Sequence, residues 1–173
     1  MNKKRVFLAL LPSEDLISKV RLWRERHQDI NAARFIKEKN LHLTVLPPWY
    51  EKETNLGLLN KLVEKSVQLT NPVVLKFSAI ESRCNCLWLK ADCPIDFLNL
   101  KEHLALSLGQ EKTNKETVPH IVLARLKSEF RYKRIWDHGN IDEESFDHLA
   151  LFESVPGAEG ADYNILLDWK LAR

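Results

Sequence analysis

The sequence is short of the features that mark secreted and membrane proteins. It has only three cysteines in 173 residues, Cys84, Cys86 and Cys93. Secreted disulfide frameworks use more, in even number. The C-x-C-x6-C spacing has no paired C-x2-C halves, so it does not read as a zinc site, and no metal is expected. Reduced thiols in a cytoplasmic protein are the expectation. No apolar run reaches the length of a membrane span. The opening MNKKRVFLALLPSED has a basic start, but its apolar run, Val6 to Leu11, is too short for a signal h-region and passes into a helix start. It reads as a buried first strand. Charge of one sign is not in excess: 26 Lys and Arg against 24 Asp and Glu give +2. That permits an anionic ligand without demanding one. No linker rich in Gly, Ser or Pro and no low-complexity tract divides the chain. Residues 1–173 are therefore read as one domain, two small lobes sharing a core.

What is there is patterning. Residues 5–11 read as a strand, and Ser13 as the N-cap of a helix whose first turn carries Glu14 and Asp15 and whose apolar face carries Leu16, Ile17, Val20 and Trp23. A short strand is expected over 33–37 and another over 40–46, stopped by Pro47-Pro48. A second helix spans 55–69, with Leu59, Leu62, Val63 and Val67 on one face. Residues 73–80 alternate, 86–91 follow as a strand, and Pro94 to Leu108 form a third helix ended by Gly109. Residues 110–117 read as a charged turn. Strands are expected over 119–126 and 147–153. The last run alternates, with Tyr163, Ile165, Leu167, Trp169 and Leu171 on one face. The order strand, helix, histidine-bearing strand occurs twice. This echo predicts an α+β fold of two related lobes, each contributing one histidine strand, and not a doubly wound parallel sheet.

Those two strands carry the chemistry. In NLHLTVLP (40–47), His42 and Thr44 project to the same face. In PHIVLARL (119–126), His120, Val122 and Ala124 share a face, and strict alternation puts Arg125 on the other. One histidine in an apolar strand is commonly a satisfied core residue, and a strand threonine needs no explanation. Two histidines in matched contexts are another matter. Hydrolysis of a phosphodiester needs one neutral imidazole to take a proton from water and one protonated imidazole to give a proton to the departing oxygen. A hydroxyl can hydrogen-bond a phosphate oxygen as charge builds there, and an arginine can do so with more strength.

The chain resembles the two-histidine phosphoesterases, in the branch of RNA 2′,3′-cyclic phosphodiesterases long called 2′-5′ RNA ligases. The resemblance runs over nearly the whole chain. RVFLALLPSEDLISKV is similar to the family's opening strand and helix, KNLHLTVL to ENLHLTL, PHIVLAR to PHITLAR, and LALFESVPGAEGADYNILLDWKLA to its ending. The two histidines stand 78 positions apart. The resemblance implies two related lobes with antiparallel sheets flanked by helices and an active-site cleft between them. It implies metal-independent opening of 2′,3′-cyclic phosphate ends of RNA or of small cyclic nucleotides, leaving a 2′-phosphate, with no cofactor. By the same resemblance His42 and His120 are the acid/base pair, and Thr44 and Arg125 bind phosphate. Arg125 on that face then implies a strand end or a bulge, or a long side chain curling round the edge. Two departures stand out. Val122 occupies the position of the family's Thr or Ser, and Leu46 with Pro47-Pro48 replaces a basic residue. Both remove phosphate-contacting capacity, and the alternative is a binding member of the fold that holds an RNA end without turning it over.

Lys127, Arg131, Lys133 and Arg134 are candidate RNA-tracking residues. Trp49 and Tyr50, in a proline-bounded loop, are the better candidates for base stacking among Trp49, Tyr50, Trp88, Phe97 and Tyr163. His138 and His148, with Asp137, Asp142, Glu143, Glu144 and Asp147, have no recognised ligand spacing and read as a solvated loop. His27 and His103 read as surface or packing residues. Sequence is silent on oligomeric state; a monomer is the expectation.

Overall fold

A computed structural model describes residues 2–28, 30, 33–110, 117–127, 132–135, 143–157 and 160–172. The chain runs β1 (Lys3–Leu10), α1 (Glu14–Arg26), β2 (Ala33–Phe35), a 3-10 turn (Glu38–Asn40), β3 (Leu43–Lys52), α2 (Leu56–Val67), β4 (Val73–Arg83), β5 (Cys86–Ala91), α3 (Ile95–Ser107), β6 (His120–Leu126), β7 (Lys133–Ile135), β8 (Glu143–Phe146), β9 (His148–Val155) and β10 (Asp162–Lys170). Ser13 caps α1 as expected: its hydroxyl accepts the Leu16 N–H at 3.1 Å. Gly109 closes α3 at φ 63°, a conformation that costs a residue with a Cβ. Cys84 and Asn85, both at positive φ, make the tight turn between β4 and β5, the backbone twist a two-residue hairpin favours.

The sheet is antiparallel throughout and α+β in class, with order β10-β9-β1-β3-β6-β5-β4-β7, β2 beside β6 and β8 beside β4. β3 and β6, the histidine strands of its two halves, share one register pair, Leu43 with Ile121, and β2 pairs β6 beside it. Each half repeats one unit: a strand, a helix, and a histidine-led strand that returns antiparallel to the first. The units are β1-α1-β3 and β5-α3-β6, the echo seen in the sequence. The three helices pack their apolar residues (Leu16 and Trp23, Leu59 and Val63, Phe97 and Leu104) into one large core. β1 is buried on both faces: Val6, Leu8 and Leu10 join that core, while Phe7 and Ala9 join a small cluster with Ala150 and Phe152 on the opposite face. That opposite face carries the site.

Four local departures from sequence reading share one cause, the bulge. Pro47-Pro48 does not end β3; the strand continues to Lys52, and the prolines fall in a bulge where Val6 pairs with Trp49 and Leu8 with Leu46. A proline tolerates such a place because no ladder bond is asked of it. Trp49 and Tyr50 are consequently strand residues and not loop residues. In β4 the pairing slips between Phe77 and Ala79, so Ala79 leaves the core face and Ile80 takes its place. In β10 it slips between Ile165 and Leu167, so Tyr163 joins the small cluster while Trp169 and Leu171 join the main core. The bulge behind the fourth departure lies in β6 and shapes the site. β7 and β8 were not anticipated from sequence; each is short, and β8 shows only two buried positions.

Candidate active site

The site is built on the crossing of β3 and β6. Leu43 pairs with Ile121, and both are core residues. Carrying that register one residue either way sets His42 opposite Val122 and Thr44 opposite His120, all four on the face away from the helices. The two histidines are then diagonal neighbours, roughly 7–8 Å apart along the sheet and somewhat less between Cβ atoms, a span a phosphate group can bridge. The bulge in β6 completes the set. Trp88 pairs with Val122 but Leu87 with Ala124, so Leu123 is the extra residue and its carbonyl is taken by the Ile36 N–H at 2.8 Å. Beyond it the alternation flips, and Arg125 comes round onto the histidine face, where Nη1 lies 3.9 Å from the Cys86 sulfur. Strict alternation misplaces Arg125; of the ways left open for it to reach that face, the structure has the bulge.

A cleft of about 250 Å³ lies over this crossing, and His42, Thr44, Val122 and Arg125 line it. Arg5 and Phe7 from β1, Asn40, Pro48 and Tyr163 also face it. His120 flanks the cleft, its ring stacked on Trp88 at 3.5 Å between centroids and 12° between planes. Both histidines are aimed by the same device. His42 Nδ1 donates to the Asn40 carbonyl at 2.7 Å, and His120 Nδ1 to the Val118 carbonyl at 2.8 Å, each two residues back. A carbonyl only accepts, so Nδ1 carries the hydrogen and Nε2 is the nitrogen left for proton transfer.

The surroundings of the two rings differ. His42 is enclosed by aromatic rings: Phe7 at 4.9 Å, Tyr163 edge-on at 5.2 Å and Phe152 at 5.7 Å. Burial there pushes its pKa down to about 4, against the Asn40 hydrogen bond and with a further lowering from His120. His120 is also lowered, chiefly by burial, partly offset by the Val118 carbonyl and helped by the charge of Arg83. Arg83 lies over the Trp88 ring, 5.2 Å from its centroid. Both imidazoles are thus neutral near pH 7, with the guanidiniums of Arg5 and Arg125 at the walls of the cleft. An anion placed among them favours return of a proton to one imidazole.

Other sequence candidates are dispersed. Phe97 is core. Trp88 stacks on His120 and has Arg83 over its ring, and Tyr163 belongs to the His42 enclosure. Tyr50 is 69% exposed. Lys133 and Arg134 lie on β7, the third strand from β6, and do not reach the cleft. Arg131, Asp137, His138 and Asp142 lie outside the described residues, as does most of the charged turn at 110–117. Glu144 is buried and its carboxylate accepts the Ser13 N–H at 3.1 Å, a structural role. His27 stacks on Trp23, and His103 is exposed. Arg5, Phe7 and Asn40 were missed. The signal for Arg5 was available: it stands two residues before Phe7 in a strand, so the two share a face. That Phe7 faces a site could only come from the pairing of β1 with β3.

No protein-family model matches the chain, and no curated protein matches it. Solved structures do. E. coli LigT in apo form superposes with a TM-score of 0.82 at 19% identity over all of both chains. The Thermus thermophilus protein TT0787 gives 0.78 at 21% identity, covering 96% of this chain and 97% of that one. The MHV ns2 PDE domain gives 0.60 at 14% identity over 88% and 99%. LigT has also been solved with 3′-AMP, phosphate, ATP and NADP+. These proteins belong to the two-histidine phosphoesterase superfamily, and the chain has their fold.

Proposed function

We propose that the chain is a phosphodiesterase that opens the 2′,3′-cyclic phosphate of RNA ends or of small cyclic nucleotides and leaves a 2′-phosphate. The observation that carries this reading is the crossing itself: His42, Thr44 and His120 share one face across the Leu43–Ile121 pair, and the β6 bulge turns Arg125 onto it. The cyclic phosphate binds between the imidazoles, its free oxygens held by the Thr44 hydroxyl and the Arg125 guanidinium. One imidazole, neutral at Nε2, takes a proton from the attacking water as its oxygen bonds to phosphorus. The other, protonated once the anion is bound, gives its proton to the 3′ oxygen as the P–O3′ bond breaks. Imidazole suits both tasks because its proton affinity is near working pH, and the two transfers together ask nothing of a metal ion. The proteins of this fold solved with phosphate and nucleotides support the ligand class.

A second reading is favoured by one residue. Val122, opposite His42, presents no donor where Thr44 presents one opposite His120. Losing one donor to a developing oxyanion costs on the order of 10²-fold in rate. A chain so altered can hold an RNA end without turning it over. The experiment is hydrolysis of 2′,3′-cyclic nucleotides and of an oligoribonucleotide ending in a cyclic phosphate, in EDTA, with His42→Ala and His120→Ala beside the wild type. Turnover by the wild type and loss in both variants supports the enzyme. Binding of the cyclic nucleotide without turnover replaces it with the binding member.

A further inference from the structure

β1 and β3 run on past the cleft, and at their outer ends they sort charge by face. Their register pairs Arg5 with Tyr50 and Lys3 with Lys52. Alternation from Phe7, which faces the cleft, puts Arg5 and Lys3 on the cleft face, and their cross-strand partners Tyr50 and Lys52 with them. The acids go to the other face. Lys4 stands opposite Glu51 and its ammonium donates to Glu153 at 2.9 Å; the Glu51 carboxylate takes the Trp49 indole N–H and the Asn55 amide. Glu51 and Glu153 are the only acids in β1, β3 and β9, so the cleft face of these strands keeps three cations and none of their acids.

The arrangement costs the fold something. Lys3 and Lys52 are exposed and directly opposite, where like charges repel. Neither side chain makes an ion pair or hydrogen bond among the described residues. Tyr50, 69% exposed in mid-strand, lies beside Arg5. Arg5 itself lines the cleft, so the strip is continuous with the site. At ~3.3 Å per residue it reaches roughly 13 Å from Phe7 to Lys3. A small cyclic nucleotide held at His42 would not span that distance.

We infer that this strip, Arg5 and Tyr50 and then Lys3 and Lys52, seats the RNA strand leading to the terminal cyclic phosphate. Backbone phosphates lie on the cations and a base stacks on Tyr50, the combination of charge and aromatic surface that single strands require. The inference rests on the hydrolytic reading of the cleft and narrows it: the preferred substrate is a polynucleotide end and not a mononucleotide.

Lys3→Gln/Lys52→Gln and Tyr50→Ala test it, each assayed on cytidine 2′,3′-cyclic phosphate and on a short oligoribonucleotide ending in a 2′,3′-cyclic phosphate. The expected result is a fall of about tenfold in kcat/KM on the oligonucleotide for each variant, with the mononucleotide unchanged within about twofold. The double lysine variant should also flatten the oligonucleotide's log–log salt dependence by about 1.4, at roughly 0.7 for each phosphate that a lysine no longer neutralises. Equal effects on both substrates, or none on the oligonucleotide, overturn the strip and leave the hydrolytic reading standing. If the wild type turns over neither substrate, the hydrolytic reading falls. The strip is then judged by fluorescence anisotropy with a 2′-phosphorylated oligoribonucleotide. Salt-sensitive binding weakened in the double variant supports it; binding unaltered in that variant overturns it.

Discussion

Val122→Thr is the substitution on which the geometry makes its sharpest demand. The crossing of β3 and β6 has a local two-fold relation about Leu43 and Ile121, which sets Thr44 against His120 and Val122 against His42. One half presents a hydroxyl to the cleft and the other a methyl. Val122 lines the cleft and is half-buried, so a threonine there can turn its hydroxyl to the ligand or to water. The stability change should be about 1 kcal/mol or less, since no donor is sealed away unpaired. The catalytic change should be larger. A donor aimed at developing oxyanion charge contributes roughly 10²- to 10³-fold where the site is built around it. Added to a site that has shaped itself around valine, the lower part of that range applies: a rise in kcat of roughly ten- to a hundred-fold, about 1.4–2.7 kcal/mol of transition-state stabilisation. The reciprocal variant, Thr44→Val, should lower kcat about a hundred-fold. Steady-state hydrolysis of a 2′,3′-cyclic nucleotide reads both, with urea melts to confirm equal folding. A folded Val122→Thr protein with kcat unchanged or reduced, beside a Thr44→Val protein that loses activity, would refute the claim that the two positions are equivalent halves of one phosphate site.

Two other outcomes follow from the rings around the histidines. His42 has a folded pKa of about 4 against an ordinary 6.5, so the unfolded chain binds its proton first. Stability should be full above about pH 6.5 and fall as pH drops towards 4, by about 3 kcal/mol from this residue, with His120 adding in the same direction. Urea midpoints across that window should show the fall, and His42→Gln should flatten it; an equally steep profile in the variant would count against burial as the cause. Trp88 positions His120 by stacking. Trp88→Ala should lower kcat about tenfold with little change in KM and raise the His120 pKa by NMR titration, and Trp88→Phe should restore most of both; an unmoved His120 titration would mean that the stack does not set its environment.

The existence of the elements was legible because the periods are clean. The buried first strand, the Ser13 cap, the helical faces and the Gly109 stop are each local decisions, and local chemistry makes them. The repeat of strand, helix and histidine strand was legible for the same reason, and with it the α+β class. What alternation alone could not supply was the face of a residue beyond a bulge. A bulge shifts parity by one, so every side chain after it changes side. Arg125, Tyr163 and Ile80 all lie beside such a shift, and Pro47-Pro48 concealed one by looking like a strand end. Bulges are set by the partner strand, as at Leu123, whose freed carbonyl is taken by Ile36 just beyond β2. That bond joins residues far apart in sequence, and no window around PHIVLARL contains it.

The same distance argument explains why the two histidines, so alike in sequence, are unlike in place. Their local motifs are matched: each gives Nδ1–H to the carbonyl two residues back, and each leads a strand that returns antiparallel to the first strand of its unit. The differences come from what the rest of the sheet brings alongside. β1, β9 and β10 deliver Phe7, Phe152 and Tyr163 around His42 and remove part of its solvation, while the ring still lines the cleft. β4 and β5 deliver Arg83 and Trp88 to His120, which keeps one ring face packed and a positive charge nearby. A symmetric pair would have no reason to divide the roles of acid and base. Unequal enclosures give the two imidazoles unequal proton affinities, and in the hydrolysis proposed above that inequality is what would assign two different proton transfers to a duplicated motif.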